Sequence, residues 1–499
     1  MRKLLSAAIL SMMFCMVMAI PAFADSGPGT VPGGMPNVTR VKSSPTAVDA
    51  GNVNSIGGFG ELGSGIETPD PVLGIVPEVS YSLMDCKNQS YGAASSRATE
   101  GLFAPEGFSK LHMSNSGVVR LYFRTYSEAH GWSPWAMTEN NTLGNDDGSK
   151  VQAVQIRMKG YMHTMSDICY KAVLNDGTVV GWARNGQTLG TMGTDKYIVG
   201  LAVKCWDKNK SFGASTTTMA ANAYEGAYLD TSGRAHYSTF DGRAYTGWGW
   251  IDNTQYYFEN NEPAAGWRYI DGYKYLLNED GSICSDLEPV TGLPGAYQIR
   301  YNKATRTLYI MANDPDGGGF IIPYKTFMSS CGPDTPLGTF KTYARYDWKF
   351  MHPSEDGSGD IYCQKLTRFK DGFLMHSLLY YHSPNPFTLD AINYNFIDYA
   401  ASGGCIRLRA CDANWIYSNV PLQTPIILYY KPQETGPVEK DAIMQAIPRE
   451  QNYDPTDPEA LAAIAAGQAT QSAADAAAAQ AAIEQAAADD AAEGITATE

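Results

Sequence analysis

Several patterns that would direct the reading elsewhere are missing from this 499-residue chain. No Cys-x-x-Cys pair occurs among its nine cysteines, so the ligand spacing of a structural zinc site is absent and no metal is expected. No cluster of Lys and Arg with interleaved aromatics appears, which argues against nucleic acid as a partner. After the first two dozen residues no run of 18 apolar residues follows, so no transmembrane anchor is expected. Positive charge is missing from 454–499, where nine Asp or Glu fall; removing these from the formal net charge of −15 leaves about −6 for the rest. The acidity belongs to the tail, and no acidic binding surface follows from it.

What is present changes in character along the chain. Residues 1–24 read as a signal peptide, with Arg2 and Lys3, an apolar stretch from Leu4 to Ile20, and Ala22-Phe23-Ala24 as a small-x-small cleavage site. The mature protein is therefore expected outside the cytoplasm. Cys15 leaves with the leader and eight cysteines remain. Cys169 with Cys205, and Cys331 with Cys363, are spaced so that each pair is a candidate disulfide. Residues 25–80, rich in Gly, Pro, Ser and Thr, read as a flexible spacer.

Seven of the nine Trp fall between 132 and 267. In 81–210, Gly131-Trp132 and Gly181-Trp182 each precede a strand-like run, Val154 to Met158 and Leu201 to Lys204. This resembles the Gly-Trp hydrophobic repeats of secreted clostridial-type proteins; a single such Trp is more readily a core residue than a ligand contact. In 220–290 a sharper repeat appears: Gly247-Trp248-x-x-Ile251-Asp252 leads to Tyr256, and nineteen residues on, Gly266-Trp267-x-x-Ile270-Asp271 leads to Tyr275. Short hairpins with spaced aromatics suit a β-solenoid stack. The period resembles the choline-binding type of cell-wall repeat, which implies Trp248, Trp267, Tyr256 and Tyr275 as wall-binding aromatics, acting on glycan or teichoic polymer. The plain alternative is a spacer packed on its neighbours.

From 295 to 430, alternating apolar runs such as Tyr297 to Tyr301 and Thr307 to Met311 predict strands, and Ala410 to Ser418 has helical spacing. The chemistry gathers here. In Ser402-Gly403-Gly404-Cys405-Ile406-Arg407, paired glycines permit a sharp turn and free consecutive N–H groups to meet an oxyanion, while the thiol needs a base to become a nucleophile. The candidate base is His376, at the end of Phe373-Leu374-Met375-His376-Ser377. With Thr335-Pro336-x-Gly338-x-Phe340, these segments stand in the order of the L,D-transpeptidase (YkuD-like) catalytic domain and resemble it.

The resemblance implies a mainly β, sandwich-type catalytic domain following the repeat modules. It implies that Cys405 forms a thioester with a peptidoglycan stem peptide, that His376 is general base and acid, and that the Ser377 carbonyl orients His376. It further makes the Gly404 and Cys405 N–H groups oxyanion donors and sets Ser402, Gly403 and Tyr381 against the substrate, with Arg407 either holding a substrate carboxylate or tying the loop to backbone carbonyls. A carbapenem would mimic the acyl donor. No cofactor is implied. Gly403 stands where the family usually has His, and the 29-residue separation of His376 from Cys405 implies an insertion near Tyr380 to Asn395, expected to be an irregular loop with Tyr380, Tyr381 and His382 over the cleft. Three functions compete: transpeptidation, stem-peptide hydrolysis by the same Cys and His, and an inactive wall-binding protein. On either catalytic reading, 81–290 would deliver an autonomous enzyme to the wall. The acidic 433–499 tail reads as helical or disordered and without chemistry.

Overall fold

The computed structural model describes residues 76–98, 100–116, 120–138, 140–159, 161–208, 210, 219, 224–353, 360–398, 402–432, 436–438 and 446–467. The expected leader, nearly all of the expected spacer and the Ala-rich run after 467 lie outside these residues. Among the described residues no helix is long and apolar enough to cross a membrane. The chain is mainly β, as the alternating runs predict, with four short helices among the described residues.

The first module, up to Asp207, has three sheets around one core. Val79, Leu111, Phe123, Ile156, Ile168 and Leu201, drawn from all three, meet in it. The Gly-Trp units are not separate bodies here, since their strands are distributed among sheets that share this core. Gly131 (φ 70°) and Gly181 (φ 111°) occupy the left-handed region that glycine tolerates. Strands Arg120–Ser127 and Ala153–Lys159 are buried at every position. Their alternate polar residues are covered by side chains of the same module and of its neighbours instead of water. Arg124 stacks over Trp132 and Trp135 at 4.7 and 4.6 Å, and Arg157 lies 4.4 Å from Trp135 and 4.8 Å from Trp250 of the next module.

The cysteine pairs do not form disulfides. In the antiparallel register Cys169 faces Lys204 and Cys205 faces Ile168, so successive-residue alternation sends the two thiols to opposite faces of the sheet. Cys331 and Cys363 are also free and pack into different apolar clusters.

Three hairpins follow. Gly247–Ile251 with Thr254–Glu259, and Gly266–Ile270 with Tyr273–Leu277, are the repeats seen in sequence. Each closes on a two-residue loop with positive φ at both positions, Asp252-Asn253 and Asp271-Gly272, the twist that matches paired strands. A hairpin of Gly226–Leu229 and Ala235–Ser238 precedes them, unannounced because its turn is longer and it lacks Gly-Trp. The hairpins are not a freestanding array. One apolar cluster joins Tyr122 and Trp135 of the first module, Trp248, Trp250 and Tyr275 of the hairpins, and Tyr309 and Met311 of the third module.

The third module packs a five-stranded sheet against a four-stranded one. The first runs Gly319–Met328, Thr307–Asp314, Tyr297–Asn302, Pro425–Tyr429, Gly338–Lys341; the second runs Ala344–Pro353, Asp360–Lys370, Phe373–His376, Ile406–Arg407. Ile299, Ile310, Phe369, Met375, Ile406 and Ile426 fill the space between them, with Ala413 and Ile416 of helix Ala410–Asn419. Phe373–His376 and Ile406–Arg407 pair in parallel. A parallel pair needs a crossover of a dozen or more residues, which accounts for the long separation between His376 and Cys405.

One expectation needs correction. The crossover is not wholly irregular, because Ala391–Asn395 forms a short helix whose N–H groups at Ile392 and Asn393 donate to the Asp390 side chain. Part of the tail is helical, one of the two states expected of it. Residues 446–467 fold back on the third module, where Asp454 accepts from Ala410 N, Asp457 accepts from Gln364 Nε2, and helix Pro458–Ala465 follows.

Candidate active site

A cavity of about 1060 Å³ opens beside the parallel pair, and its wall includes His376, Ser402, Gly403, Gly404, Cys405 and Arg407 together with Phe373, Tyr381, Asp390 and Asn393. The sheet explains why two distant residues meet. His376 lies opposite Arg407, and Cys405 is two residues before Arg407, on the same side of the chain. The imidazole and the thiol thus share one face at the end of the second sheet.

His376 is 1% exposed, and its Nδ1 lies 2.6 Å from the Ser377 carbonyl. A carbonyl accepts only, so Nδ1 carries the proton and Nε2 keeps its lone pair. Burial pulls the imidazole down from 6.5 to about 3, the Ser377 bond opposing it and the Arg407 charge reinforcing it. His376 carries a neutral, oriented imidazole across the neutral pH range. Ser377 is itself locked: its hydroxyl accepts from Gln364 N at 2.9 Å and donates to the Leu378 carbonyl at 3.0 Å.

Cys405 is partly buried, and its Sγ lies 3.8 Å from the Gly372 carbonyl. Burial pushes the thiol up, against smaller opposing effects of the Leu374 backbone, Arg407 and Arg368. With a raised thiol beside a depressed imidazole, the resting pair is thiol and neutral His. The arrangement favours moving the proton as the sulfur attacks over storing a thiolate–imidazolium pair.

The loop that carries Cys405 is held by its neighbours. Ser402 Oγ accepts from Gly404 N at 3.1 Å and donates to the Cys405 carbonyl at 2.6 Å. Gly404 N–H, expected to be an oxyanion donor, is therefore engaged within the loop. Thr335, 2% exposed, donates to the Gly404 carbonyl at 2.8 Å and accepts from Gly332 N at 3.1 Å. In a trans peptide the C=O and N–H point opposite ways, so anchoring the Gly404 carbonyl turns the Cys405 N–H away from Thr335. A side chain at Gly404 would strike the Phe373 ring at 2.5 Å, whereas one at Gly403 would meet nothing within 4 Å. Gly404 is required by space. Gly403 leaves a gap in the cavity wall.

Arg407 Nη1 donates to Asn393 Oδ1 at 2.8 Å, and Asn393 Nδ2 donates to Asp390 Oδ2 at 2.7 Å. Its buried Nε has no hydrogen-bond partner among the described residues. The crossover thus supplies Tyr381, Asp390 and Asn393 to the cavity. Tyr380, expected over the cleft, is instead wholly buried with its hydroxyl accepting from Gln364 Nε2 at 2.9 Å, and His382 is not among the lining residues. Sequence reasoning missed Asp390, Asn393, Phe373 and Gln364, whose roles arise only from the crossover and the sheet.

The matched segments now have a structural frame. Residues 296–428 match the L,D-transpeptidase catalytic domain. Residues 246–264 and 265–283 match the putative cell wall binding repeat. No curated protein matches the chain. Among solved structures, a fused Zn-dependent amidase/peptidase/peptidoglycan-binding domain-containing protein from Clostridium acetobutylicum is 22% identical over 27% of this chain and 51% of its own, with a TM-score of 0.19. L,D-transpeptidase 1 from Mycobacterium tuberculosis is 21% identical over 27% of this chain and 62% of its own, with a TM-score of 0.20. An L,D-transpeptidase from Mycobacterium smegmatis is 19% identical over 35% and 72%, with a TM-score of 0.21.

Of the aromatics assigned to wall binding, Trp248, Tyr256 and Tyr275 are only 7%, 9% and 4% exposed, while Trp267 is 40% exposed. The exposed face already holds a cation: Lys274 Nζ lies 5.7 Å from the Trp267 ring centre and 5.0 Å from that of Tyr269, and bonds to Asp314 Oδ1 at 2.8 Å in the third module. The last hairpin is thereby tied to that module.

Proposed function

We propose that this protein is a secreted, wall-associated L,D-transpeptidase that acts on peptidoglycan stem peptides through a Cys405 thioester. The observation that carries the reading is the convergence on one cavity of Cys405 and a neutral His376 whose Nδ1 proton is held by the Ser377 carbonyl. Cys405 Sγ attacks the carbonyl between an L-centre and a D-centre residue while His376 Nε2 takes the thiol proton. The tetrahedral oxyanion is met by the Cys405 N–H. His376 returns the proton to the departing amine, the C–N bond breaks, and the terminal D-Ala leaves a thioester. An acceptor amine, deprotonated by His376, then attacks the thioester and restores the thiol. Arg407, anchored through Asn393 with its Nε unmatched, offers a cation to a substrate carboxylate.

The test is intact-protein mass after incubation with a tetrapeptide stem donor or a carbapenem. The expected result is one adduct, lost in Cys405→Ala and kept in Cys411→Ala. An adduct that survives Cys405→Ala overturns the assignment. Adding an acceptor amine separates cross-linking from hydrolysis by the product formed.

A further inference from the structure

Asp398 ends the described part of the crossover, seven residues before Cys405, and its surroundings differ from those of a surface turn. Its side chain is 7% exposed and pairs with Arg120 of the first module, itself 1% exposed. Arg120 also donates to the Asp398 carbonyl at 3.2 Å and to the Thr305 carbonyl at 3.5 Å. Arg306 of the transpeptidase domain donates to the same Asp398 carbonyl at 2.8 Å. Two residues earlier, Phe396 packs against the apolar core of the first module.

A buried ion pair yields little net stabilisation, because desolvation offsets the attraction; what a rigid guanidinium fork adds is a fixed register between the parts it joins. Here the parts are a strand of the first module and the segment that leads into the nucleophile loop. Downstream, the loop is pinned within its own domain: Arg407 N donates to the Ser330 carbonyl at 2.9 Å, and Ser330 N donates to that of Arg407 at 3.0 Å. Upstream, Arg306 holds the Asp398 carbonyl and the Cys331 carbonyl accepts from Ser402 N at 3.5 Å within the same domain, and Arg120 adds a hold from another module. We propose that Arg120 is a positioning residue for Cys405, so that the first module forms part of the catalytic frame as well as any wall-targeting apparatus. The inference rests on Cys405 being the nucleophile. Loss of the upstream anchor frees the approach to the loop, and attack geometry tolerates displacements of only about 1 Å.

The experiment uses the full chain with Arg120→Met, Arg120→Lys and Asp398→Asn. It measures carbapenem acylation at Cys405 over a concentration series, iodoacetamide alkylation at Cys405 against pH with peptide mass mapping, and thermal unfolding. Arg120→Met is expected to lower the maximal acylation rate about tenfold or more, with the half-saturating concentration changed less than about threefold and Arg120→Lys recovering part of the rate. A purely structural role would lower the melting temperature and leave the folded enzyme acylating at the parent rate, which overturns the proposal. Should Arg120→Met fail to fold, Arg120→Lys keeps the charge and loses the fork, and parental acylation in that variant overturns it equally. If the parent itself is never acylated, the transpeptidase reading fails instead. Alkylation still decides positioning in that case: the pH profile is expected to move to lower pH in the variants, and identical profiles overturn the proposal.

Discussion

Replacing Thr335 by Val keeps the shape of the side chain and deletes one hydroxyl, and the structure states what that hydroxyl does. It accepts from Gly332 N and donates to the Gly404 carbonyl, in a site 2% exposed. The variant leaves a buried donor and a buried acceptor unmatched, each costing roughly 1–3 kcal/mol, so a loss of about 2–6 kcal/mol is expected against a typical total of about 5–15. A second effect concerns catalysis. With its carbonyl released, the Gly404–Cys405 peptide is free to rotate and the Cys405 N–H no longer has a set direction; losing one oxyanion donor costs about 10²–10³ in rate. Thr335→Ser retains the hydroxyl and is expected to retain most of the acylation rate. The assay is single-turnover acylation by a carbapenem, read as intact mass and corrected for the folded fraction from near-UV circular dichroism. A folded Thr335→Val chain acylating at the parent rate would refute the argument that this hydroxyl aims the peptide.

Three further outcomes follow from the geometry. His376 is held near 3 in the folded chain against 6.5 for the ordinary group, so between these values the unfolded chain binds a proton that the native one refuses, and stability falls as pH drops through that window by about 1.4 kcal/mol per pH unit. Asp454 and Asp457, pushed up by burial, act with the opposite sign, so the quantity to measure is the difference in denaturation midpoint between parent and His376→Gln across pH 6.5 to 3, expected to shrink as pH falls. The fragment 291–432 uncovers Tyr309 and Met311, at about 1.5–3 kcal/mol each, and loses the returning segment 446–467; it is expected to melt well below the full chain, and an equal melting temperature would show the shared cluster to be dispensable. Trp267→Ala in the full chain is expected to weaken sedimentation with insoluble sacculi while a soluble tetrapeptide acylates Cys405 at the parent rate; unchanged sedimentation would make the hairpins a spacer.

Local chemistry determined much of this protein. The Gly-Gly-Cys-Ile-Arg run, the strand ending in His376 and the Thr335 turn are legible because each is a short contiguous pattern whose residue types carry the chemistry. The two Gly-Trp-x-x-Ile-Asp hairpins are legible for the same reason, their turns being set by residues that accept positive φ. Tertiary structure decided the rest. Alternation along Arg120–Ser127 and Ala153–Lys159 implies one wet face, yet both faces are dry because Trp132 and Trp135 of the same module and Trp250 of the next cover Arg124 and Arg157. The same contact buries Trp248 and Tyr275, so the separate modules expected from composition share a core. Neither Asp390 and Asn393 at the cavity nor Asp398 beneath Arg120 carries a local signal, since each gains its role only when the crossover between parallel strands returns to the sheet. A sequence shows which side chains a segment can bury; which partner buries them, and which distant charge meets them there, is settled only when the modules pack.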